Sequence, residues 1–406
     1  MMEESLSMSE FFSPPGDKVA SIDYILTKIF EYLPLTSLVR FEAVSKHWFS
    51  LITDPRFSPL LKRRNVSGLF MLPSKLRDEP FSCEVDFLLL DGKNRHDPPF
   101  KRRRSVYDSI DVKILHSCNG LLLCSNPRAS GGDTDYFVLN PTTKQIVVLS
   151  RPANGPYGSW RGIRGIYLAY DPLTSPHYKV ICVWRFAGDL LYKILIYSSQ
   201  SRDWRVSESD EYFYYSSKAH FDRGAYWNGG VHWHCDTDNW LYFNIDQEKL
   251  NIMPSPEKFD ECLLERSFVY FGESNGHLHV VEDYNQDSCL YVYEMERDYS
   301  GWYVKYKVSL DTIAEMMKLR YPIEDGDITL LSIIRGERDG DEYSFLVLQV
   351  PGDIKTCYKR VVGYGLGCGA PRVLIDFDLH HGDHRARISN SGWCDAFQYI
   401  ESLASV

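Results

Sequence analysis

The first sixty residues carry apolar side chains with the period of α-helices. Apolar residues recur at intervals of three and four from Ile22 to Leu33, which predicts one face of an amphipathic helix. Pro34 ends this helix because proline lacks the amide donor and clashes with the preceding turn. A short helix follows Pro34, and a third runs from Ser45, its N-cap, to a stop at Asp54. Three helices this short bury little surface by themselves, so we expect this segment to dock onto a partner or onto the rest of the chain.

From about residue 69 the pattern becomes that of β-strands. Strand–turn–strand units recur about every 50 residues, as in β-propeller blades, at 136–149, 192–206, 241–253, 290–308 and 342–361. Asn-Gly pairs, which favour tight hairpin turns, open strands in CNGLLLC (118–124), WNGGVHWHC (227–235) and SNGHLHVVED (274–283). We predict a mainly β protein, with a small α N-terminal module followed by a β-propeller of six or seven blades. Residues 69–117 and 372–400 would supply the remaining blades, and an irregular β-sandwich is the alternative.

These patterns divide the chain into three parts. Residues 1–18 are polar and contain Pro14-Pro15-Gly16, which predicts a disordered lead-in. Residues 19–64 are predicted to form the helical module, and residues 69–402 the propeller.

Composition narrows the classes of partner. The net charge of −10 argues against nucleic-acid binding through phosphate neutralisation. Met1 to Ser9 lack an apolar core, so we expect no signal peptide. The sequence contains no run of about 18 apolar residues, so we expect no membrane span. Without a secretory signal, the 10 scattered cysteines are expected to be reduced. The predicted compartment is the cytoplasm, the nucleus or both.

The helical segment resembles the F-box, the adaptor-binding module of Skp–cullin–F-box ubiquitin ligases. The spacing from Leu33-Pro34 to Trp48 carries the resemblance, and Ser21-Ile22 stands where the family usually has Leu-Pro. The residues that match the plant-type pattern are Ile25-Leu26, Ile29, Leu33-Pro34, Ser37-Leu38, Arg40-Phe41, Val44-Ser45-Lys46, Trp48 and Leu51-Ile52. The resemblance implies that a Skp-type adaptor, and through it a cullin, binds here. The adaptor-binding residues that it implies are Ile25, Leu26, Ile29, Leu33, Pro34, Leu38, Val39, Val44 and Trp48.

The rest of the chain resembles the kelch-related, F-box-associated region of large plant F-box families. The motifs that carry this resemblance are NGLLLC (119–124), YFVLNPTTKQ (136–145) and LAYDPLTSPHYKVICV (168–183). In such proteins the C-terminal region recruits the protein to be ubiquitinated, and other subunits carry out the transfer. The resemblance therefore implies a substrate receptor without catalytic residues, whose target the sequence does not name.

The candidate catalytic and metal sites are weak. His232 and His234 lie on one face of a predicted strand beside Cys235, but no third ligand is near, and a zinc site needs three or four. No nucleophile elbow, phosphate loop or dinucleotide fingerprint is present, so we predict no enzyme activity, metal or cofactor. Two alternatives stay open: a propeller hydrolase with an unrelated helical N-terminus, and an F-box scaffold acting outside a ligase.

We expect target recognition on one face of the propeller, because the loops between strands are freer to vary than the strands. The long connections 151–165 and 207–224 mix Tyr, Trp and Arg with small residues, a composition favoured at binding hot spots. Trp160, Arg161 and Arg164 are the candidate target-binding residues. The alternative for residues 212–215 is a strand between blades.

Overall fold

A computed structural model of the chain describes most of the elements that the sequence predicts. The described residues are 19, 22–54, 57, 66–73, 85–90, 112–126, 134–150, 162–185, 191–208, 213–214, 219–257, 266–284, 288–317, 319, 328–336, 343–351, 359–375 and 393–406. The predicted lead-in, 1–18, lies outside them. The helices are α1 (Asp23–Glu31), α2 (Leu35–Phe41), α3 (Lys46–Ile52) and α4 (Leu310–Met317). We call α1 to α3 the helical module.

The strands form six antiparallel sheets, which we number as blades in chain order. Blade 1 contains β3 (Lys113–Cys118), β4 (Leu121–Asn126), β5 (Asp135–Asn140) and β6 (Gln145–Val148). Blade 2 contains β7 (Ile163–Ala169), β8 (Lys179–Arg185), β9 (Leu191–Ser198) and β10 (Asp203–Val206), with β11 (Phe213–Tyr214) on β9. Blade 3 contains β12 (Ala219–Trp227), β13 (Gly230–Cys235), β14 (Asn239–Asn244) and β15 (Lys249–Pro254).

Blade 4 contains β16 (Arg266–Ser274), β17 (His277–Tyr284), β18 (Cys289–Met295) and β19 (Trp302–Ser309). Blade 5 contains β20 (Thr329–Ile334), β21 (Phe345–Pro351), β22 (Lys359–Gly365) and β23 (Pro371–Ile375). Blade 6 joins the two ends of the chain, because β24 (Trp393–Tyr399) pairs with β1 (Gly68–Pro73), which pairs with β2 (Asp86–Leu89).

The innermost strands close into a ring. Each contacts the innermost strand of the next blade, in the order β3, β7, β12, β16, β20, β24 and back to β3. Large apolar side chains fill the space between neighbouring blades; Trp233, for example, is fully buried beside Tyr167 and Phe221. Burial of such a side chain contributes about 1.5–3 kcal/mol. The predicted propeller is confirmed, and it has six blades.

One predicted equivalence between repeats is wrong. The hairpins at 136–149, 192–206, 241–253 and 290–308 are the third and fourth strands of their blades, whereas 342–361 spans the second and third strands of blade 5. A shift by one whole strand preserves the alternation of apolar and polar positions. Blade 5 also lacks an Asn-Gly pair between its first two strands. The local sequence pattern therefore did not show that 342–361 holds a different pair of strands from the other hairpins.

The three Asn-Gly pairs form tight turns between the first and second strands of blades 1, 3 and 4. Asn and Gly both have positive φ in each pair: Asn119 (44°) with Gly120 (88°), Asn228 (47°) with Gly229 (74°), and Asn275 (50°) with Gly276 (82°). Asn119 Nδ2 also donates to Tyr170 O of the next blade at 2.7 Å. Asn275 Nδ2 donates to Gly336 O of blade 5 at 2.8 Å. These turns therefore link neighbouring blades as well as reversing the chain.

The turns define two faces of the ring. The short-turn face carries the Asn-Gly turns and the β5–β6, β9–β10, β14–β15 and β18–β19 turns. The long-loop face is the opposite side of the ring, where β4, β8, β13, β17 and β21 end and where β7, β12, β16 and β20 begin. Because β24 ends on the short-turn face, and Gly68 of β1 pairs there with Tyr399, the chain enters the propeller from that face.

Two glycines in equivalent turns should respond differently to alanine. A Cβ on Gly120 would overlap Ser402 Cβ and lie 2.6 Å from Ile400 O, whereas one on Gly229 would meet no atom within 4 Å. Gly229→Ala should cost only the left-handed backbone penalty, about 1–2 kcal/mol. Gly120→Ala should add about 1–3 kcal/mol of overpacking. Urea unfolding of both variants checks this, and equal losses of stability would contradict it.

Candidate functional site

The helical module has a small apolar core of its own. Leu26, Phe30, Leu35, Leu38, Ile52 and Phe57 are buried in it. Trp48 lies against this core, with its ring 5.2 Å from that of Phe30 and 5.3 Å from that of Phe41, edge to face. Such aromatic pairs contribute about 0.5–1.5 kcal/mol beyond their area. Trp48 of α3 therefore connects α1, through Phe30, and α2, through Phe41.

The predicted helix signals are confirmed. Ser45 has extended backbone angles, and its Oγ accepts a hydrogen bond from Trp48 N at 3.1 Å, as an N-cap does. The helix α1 ends at Glu31, and Pro34 stands immediately before α2. Proline suits that position because its fixed φ is compatible with helix entry.

The predicted adaptor-binding residues fall into three groups by exposure. Ile29, Pro34 and Val44 are exposed. Ile25, Leu33, Val39 and Trp48 are half-buried. Leu26 and Leu38 are 3% and 0% exposed. In this conformation Leu26 and Leu38 form the module's core, so they support the surface rather than belong to it. The exposed and half-buried positions stay the predicted adaptor contacts.

The helical pattern missed three large exposed residues of the module, of which Tyr24, on α1, is 72% exposed. Tyr32 is 82% exposed at the end of α1, and Phe49 is 50% exposed on α3. Phe49 lies off the stripe formed by Trp48, Leu51 and Ile52, so the period that predicts the buried face also leaves Phe49 on the outer one. A large apolar residue on the polar side of a helix is the signal that could have identified it.

The C-terminal tail, residues 400–406, joins the module to the short-turn face. Asn140 Nδ2 donates to Ser402 O at 3.0 Å and to Ala404 O at 2.8 Å. Ser402 N donates to Thr142 Oγ1 at 3.1 Å. Between them, Leu403 packs against the core of the module. The helical module therefore lies on the short-turn face, and the long-loop face is on the opposite side of the ring.

A cleft of about 680 Å³ opens on the long-loop face between blades 3 and 4. It lies where β12 and β14 begin and β13 and β17 end. Its described lining residues are His220, Asp222, Arg223, His234, Cys235, Asp236, Thr237, Asp238, Trp240, Ser255, Phe268 and Glu282. A volume of this order is typical of ligand-binding pockets.

Stacked rings form one wall of the cleft. The His234 ring lies between that of His220, at 4.4 Å, and that of Phe268, at 4.0 Å, nearly parallel to both. His220 Nε2 is 2.6 Å from Asp236 Oδ1 at the mouth of the cleft. Burial lowers the pKa of His234 to about 4, so its imidazole is neutral at neutral pH.

The predicted target-binding residues are only partly covered by the structure. Trp160 and Arg161 lie outside the described residues. Arg164 is exposed in β7, at the end of that strand on the long-loop face, and it does not line the cleft. Phe213–Tyr214 pair with β9, so the alternative of a strand within 212–215 is correct for these two residues. The end of the 207–224 segment reaches the cleft through His220, Asp222 and Arg223.

The two strand histidines do not form a metal site in this structure. His232 Nε2 is 2.9 Å from Tyr299 Oη, and His234 stacks in the cleft wall. The described residues contain no group of three or more His, Cys, Asp or Glu side chains placed to hold a metal ion. Within the same part of the chain, the helices are too short or too polar to cross a membrane.

Two protein-family models match this chain. The model described as F-box-like matches residues 23–58, which contain all three helices of the module. The model described as an F-box associated beta propeller domain matches residues 92–329. This match runs across blades 1 to 4.

Known F-box proteins align with most of this chain. It is 34% identical to the F-box protein At5g07610 of Arabidopsis thaliana, over 98% of this chain and 95% of that protein. It is 27% identical to the F-box protein At5g49610 of the same plant, over 76% of this chain and 85% of that protein. Among solved structures, TolB from Acinetobacter baumannii aligns with a TM-score of 0.37 at 12% identity, over 72% of this chain and 63% of TolB. The chain belongs to the F-box proteins that carry an F-box-associated β-propeller domain.

Proposed function

We propose that this chain is the substrate-recognition subunit of a Skp–cullin–F-box ubiquitin ligase. The helical module binds a Skp-type adaptor, which connects it to a cullin, and the propeller binds the target protein. The chain itself carries out no chemistry. It accelerates ubiquitin transfer by holding target lysines at high effective concentration beside the conjugating enzyme.

The observation that supports this proposal most directly is the apolar surface of the helical module. Ile29 is 42% exposed, Val44 58% and Phe49 50%, within a module of only three short helices. A small domain that leaves this much apolar surface in water gains free energy when a partner covers it. The family match to an F-box over residues 23–58 supports a Skp-type adaptor as that partner.

The arrangement of the two faces also supports the proposal. The tail residues 400–406 attach the module to the short-turn face, so an adaptor bound to the module would leave the long-loop face open. The cleft between blades 3 and 4 and the ends of both predicted target-binding connections lie on that open face. One chain can therefore hold an adaptor and a target at the same time without competition between them.

Adaptor binding should depend on the exposed apolar residues of the module. We expect Pro34→Ala/Val44→Ala to weaken binding to a purified plant Skp-type adaptor at least tenfold, about 1.4 kcal/mol, because both side chains are exposed and their loss leaves the core intact. Titration calorimetry of the full-length chain measures this.

The matched control removes the same kind of surface from the propeller. Val148 and Ile252 are 57% and 64% exposed on blades 1 and 3, and Val148→Ala/Ile252→Ala should bind the adaptor as the unmodified chain does. A folded Pro34→Ala/Val44→Ala variant with unchanged affinity would refute the predicted contact. Adaptor binding without recruitment of a cullin would instead indicate a scaffold acting outside a ligase.

A further inference from the structure

The cleft between blades 3 and 4 has a marked excess of negative charge. Of its described lining residues, Asp222, Asp236, Asp238 and Glu282 carry carboxylates, whereas Arg223 carries the guanidinium that opposes them. Glu282 is fully buried, and its Oε2 accepts a hydrogen bond from Tyr284 Oη at 3.2 Å. Carboxylates in a cleft with low-dielectric walls focus a negative potential into it. The cleft therefore favours a cation over an anion.

The walls of the cleft suit a flat or elongated cation. The stacked rings of His220, His234 and Phe268 line one side, and Trp240 meets His234 edge to face at 5.9 Å. Aromatic faces attract guanidinium and ammonium groups, with the larger effect in desolvated sites. An apolar ligand fits less well, because it would take water from the carboxylates and return no hydrogen bond.

An unsatisfied nitrogen also points to a ligand. His234 is 7% exposed and lines the cleft, and its Nδ1 has no hydrogen-bond partner among the described residues. A buried polar atom without a partner is destabilising, and a ligand that donates a hydrogen bond to the neutral imidazole would relieve this. Because the imidazole is neutral at neutral pH, His234 does not repel a cation.

We infer that this cleft recognises an arginine or lysine side chain of the target protein, held between the stacked rings and the surrounding carboxylates. The inference rests on the proposed role of the propeller in substrate recognition, and it names the chemistry of the target segment. A cleft of about 680 Å³ has room for the cationic side chain and for its neighbours in the peptide. The contact would give specificity, and its strength would fall with rising salt.

A peptide-display selection tests the inference and does not require an identified target. The full-length chain, immobilised together with its adaptor, selects from a library of randomised nine-residue peptides. We expect the selected pool to contain arginine and lysine at least threefold above the input. In the strongest synthetic peptide, replacement of the selected arginine by citrulline, or of the lysine by norleucine, should weaken binding at least tenfold, because only the charge and its hydrogen bonds are lost.

Two charge-matched double variants locate the effect. Asp222→Asn/Asp236→Asn neutralises the mouth of the cleft, whereas Asp246→Asn/Asp298→Asn neutralises two exposed aspartates of the short-turn face. The cleft variant should lose the cationic preference, and the control should keep it. A pool without cationic enrichment, a library from which no peptide is selected, or equal enrichment on the cleft variant would overturn the inference.

The same samples separate this inference from the proposed function. Adaptor binding is measured on each immobilised chain before selection. Adaptor binding without cationic selection would overturn the cleft assignment alone. Cationic selection without adaptor binding would support the cleft assignment and contradict the ligase role.

Discussion

A Phe30→Ala variant is expected to lose adaptor binding while its propeller stays folded. Phe30 is 1% exposed at the centre of the helical module, with ring contacts to Phe41 at 6.4 Å, Trp48 at 5.2 Å and Phe57 at 6.3 Å. Truncation of a buried phenylalanine costs about 3–5 kcal/mol. A module with six buried apolar residues has little stability in reserve, so all three helices should unfold together.

Hydrogen exchange read by mass spectrometry distinguishes this result from general misfolding. In Phe30→Ala, amides of residues 23–52 should lose protection, while those of β12 to β19 keep theirs. Phe49→Ala is the matched control for stability, because it makes the same change on α3 at a side chain that is 50% exposed. Persistent protection of residues 23–52 in Phe30→Ala would show that the core does not depend on this ring.

The local features of this fold could be predicted from the sequence because short-range physics determines them. Pro34 separates α1 from α2, and Ser45 caps α3, through contacts within a few residues. The Asn-Gly turns require positive φ at both positions, which Asn119-Gly120 and its two equivalents adopt. Each of these signals lies within one element or one turn, so it does not depend on how the rest of the chain folds.

The long-range features could not be predicted in the same way. Blade 6 pairs Gly68 with Tyr399, and no local pattern shows which strands from the two ends of the chain will meet. The cleft draws its lining from β12, β13, β14, β16 and β17, so its charge becomes visible only after two blades are placed side by side. His234 illustrates the difference. The sequence marked it as a weak metal candidate, but the structure places it in a stack of rings.

The tail shows how the two parts of the molecule depend on each other. Leu403 contacts the core of the helical module, while Asn140 holds the backbone on both sides of Leu403 to blade 1. Tyr399 Oη and Thr142 Oγ1, 3.2 Å apart, connect the same region to blade 6. The orientation of the module relative to the propeller is therefore set by the tail as well as by the covalent connection before β1. The orientation matters for the proposed ligase role, because target lysines must then face the conjugating enzyme.

The stability of the propeller is expected to fall steeply between pH 7.5 and 5.5. Among the residues that the structure describes, four histidines are buried: His232 and His279 are 0% exposed, His234 7% and His116 8%. Burial is the main cause of lowered pKa values in all four, to about 3 for His232 and His279 and about 4 for His116 and His234. They stay neutral in the fold and bind protons when the chain unfolds.

Stability falls with falling pH because the pKa values of these histidines are lower in the folded chain than in the unfolded chain. Above pH 6.5, the ordinary pKa of histidine, these imidazoles are neutral in both the folded and the unfolded chain. The free energy of unfolding then has its full value. As the pH falls from 6.5 towards the folded pKa values of about 3 and 4, the unfolded chain gains protons that the fold does not. Each proton changes the free energy of unfolding by about 1.4 kcal/mol per pH unit. Four of them give a loss on the order of 5 kcal/mol between pH 7.5 and 5.5.

Urea unfolding followed by tryptophan fluorescence at several pH values between 7.5 and 5.5 measures this slope. The window avoids the carboxylate of Glu294: burial opposes its ionisation, but hydrogen bonds from His277 and Tyr303 hold its pKa at about 2. That carboxylate loses its contribution to stability only below about pH 4.5, so it does not change the slope in this window.

Removal of one buried imidazole should reduce the dependence of the free energy of unfolding on pH, because one proton fewer is bound on unfolding. His232 packs against the stacked rings of Tyr242 and Tyr299, where a phenyl ring can take its place. We therefore expect His232→Phe to lose about 1.4 kcal/mol less than the unmodified chain between pH 7.5 and 5.5. His177→Phe, at an exposed histidine, should leave the slope unchanged. The slope is the decisive quantity, because His232→Phe also removes the hydrogen bond to Tyr299 and so lowers stability at every pH. An unmodified chain whose stability is flat across this window would show that the buried histidines are protonated in the fold. A His232→Phe slope equal to that of the unmodified chain would show the same for His232 alone.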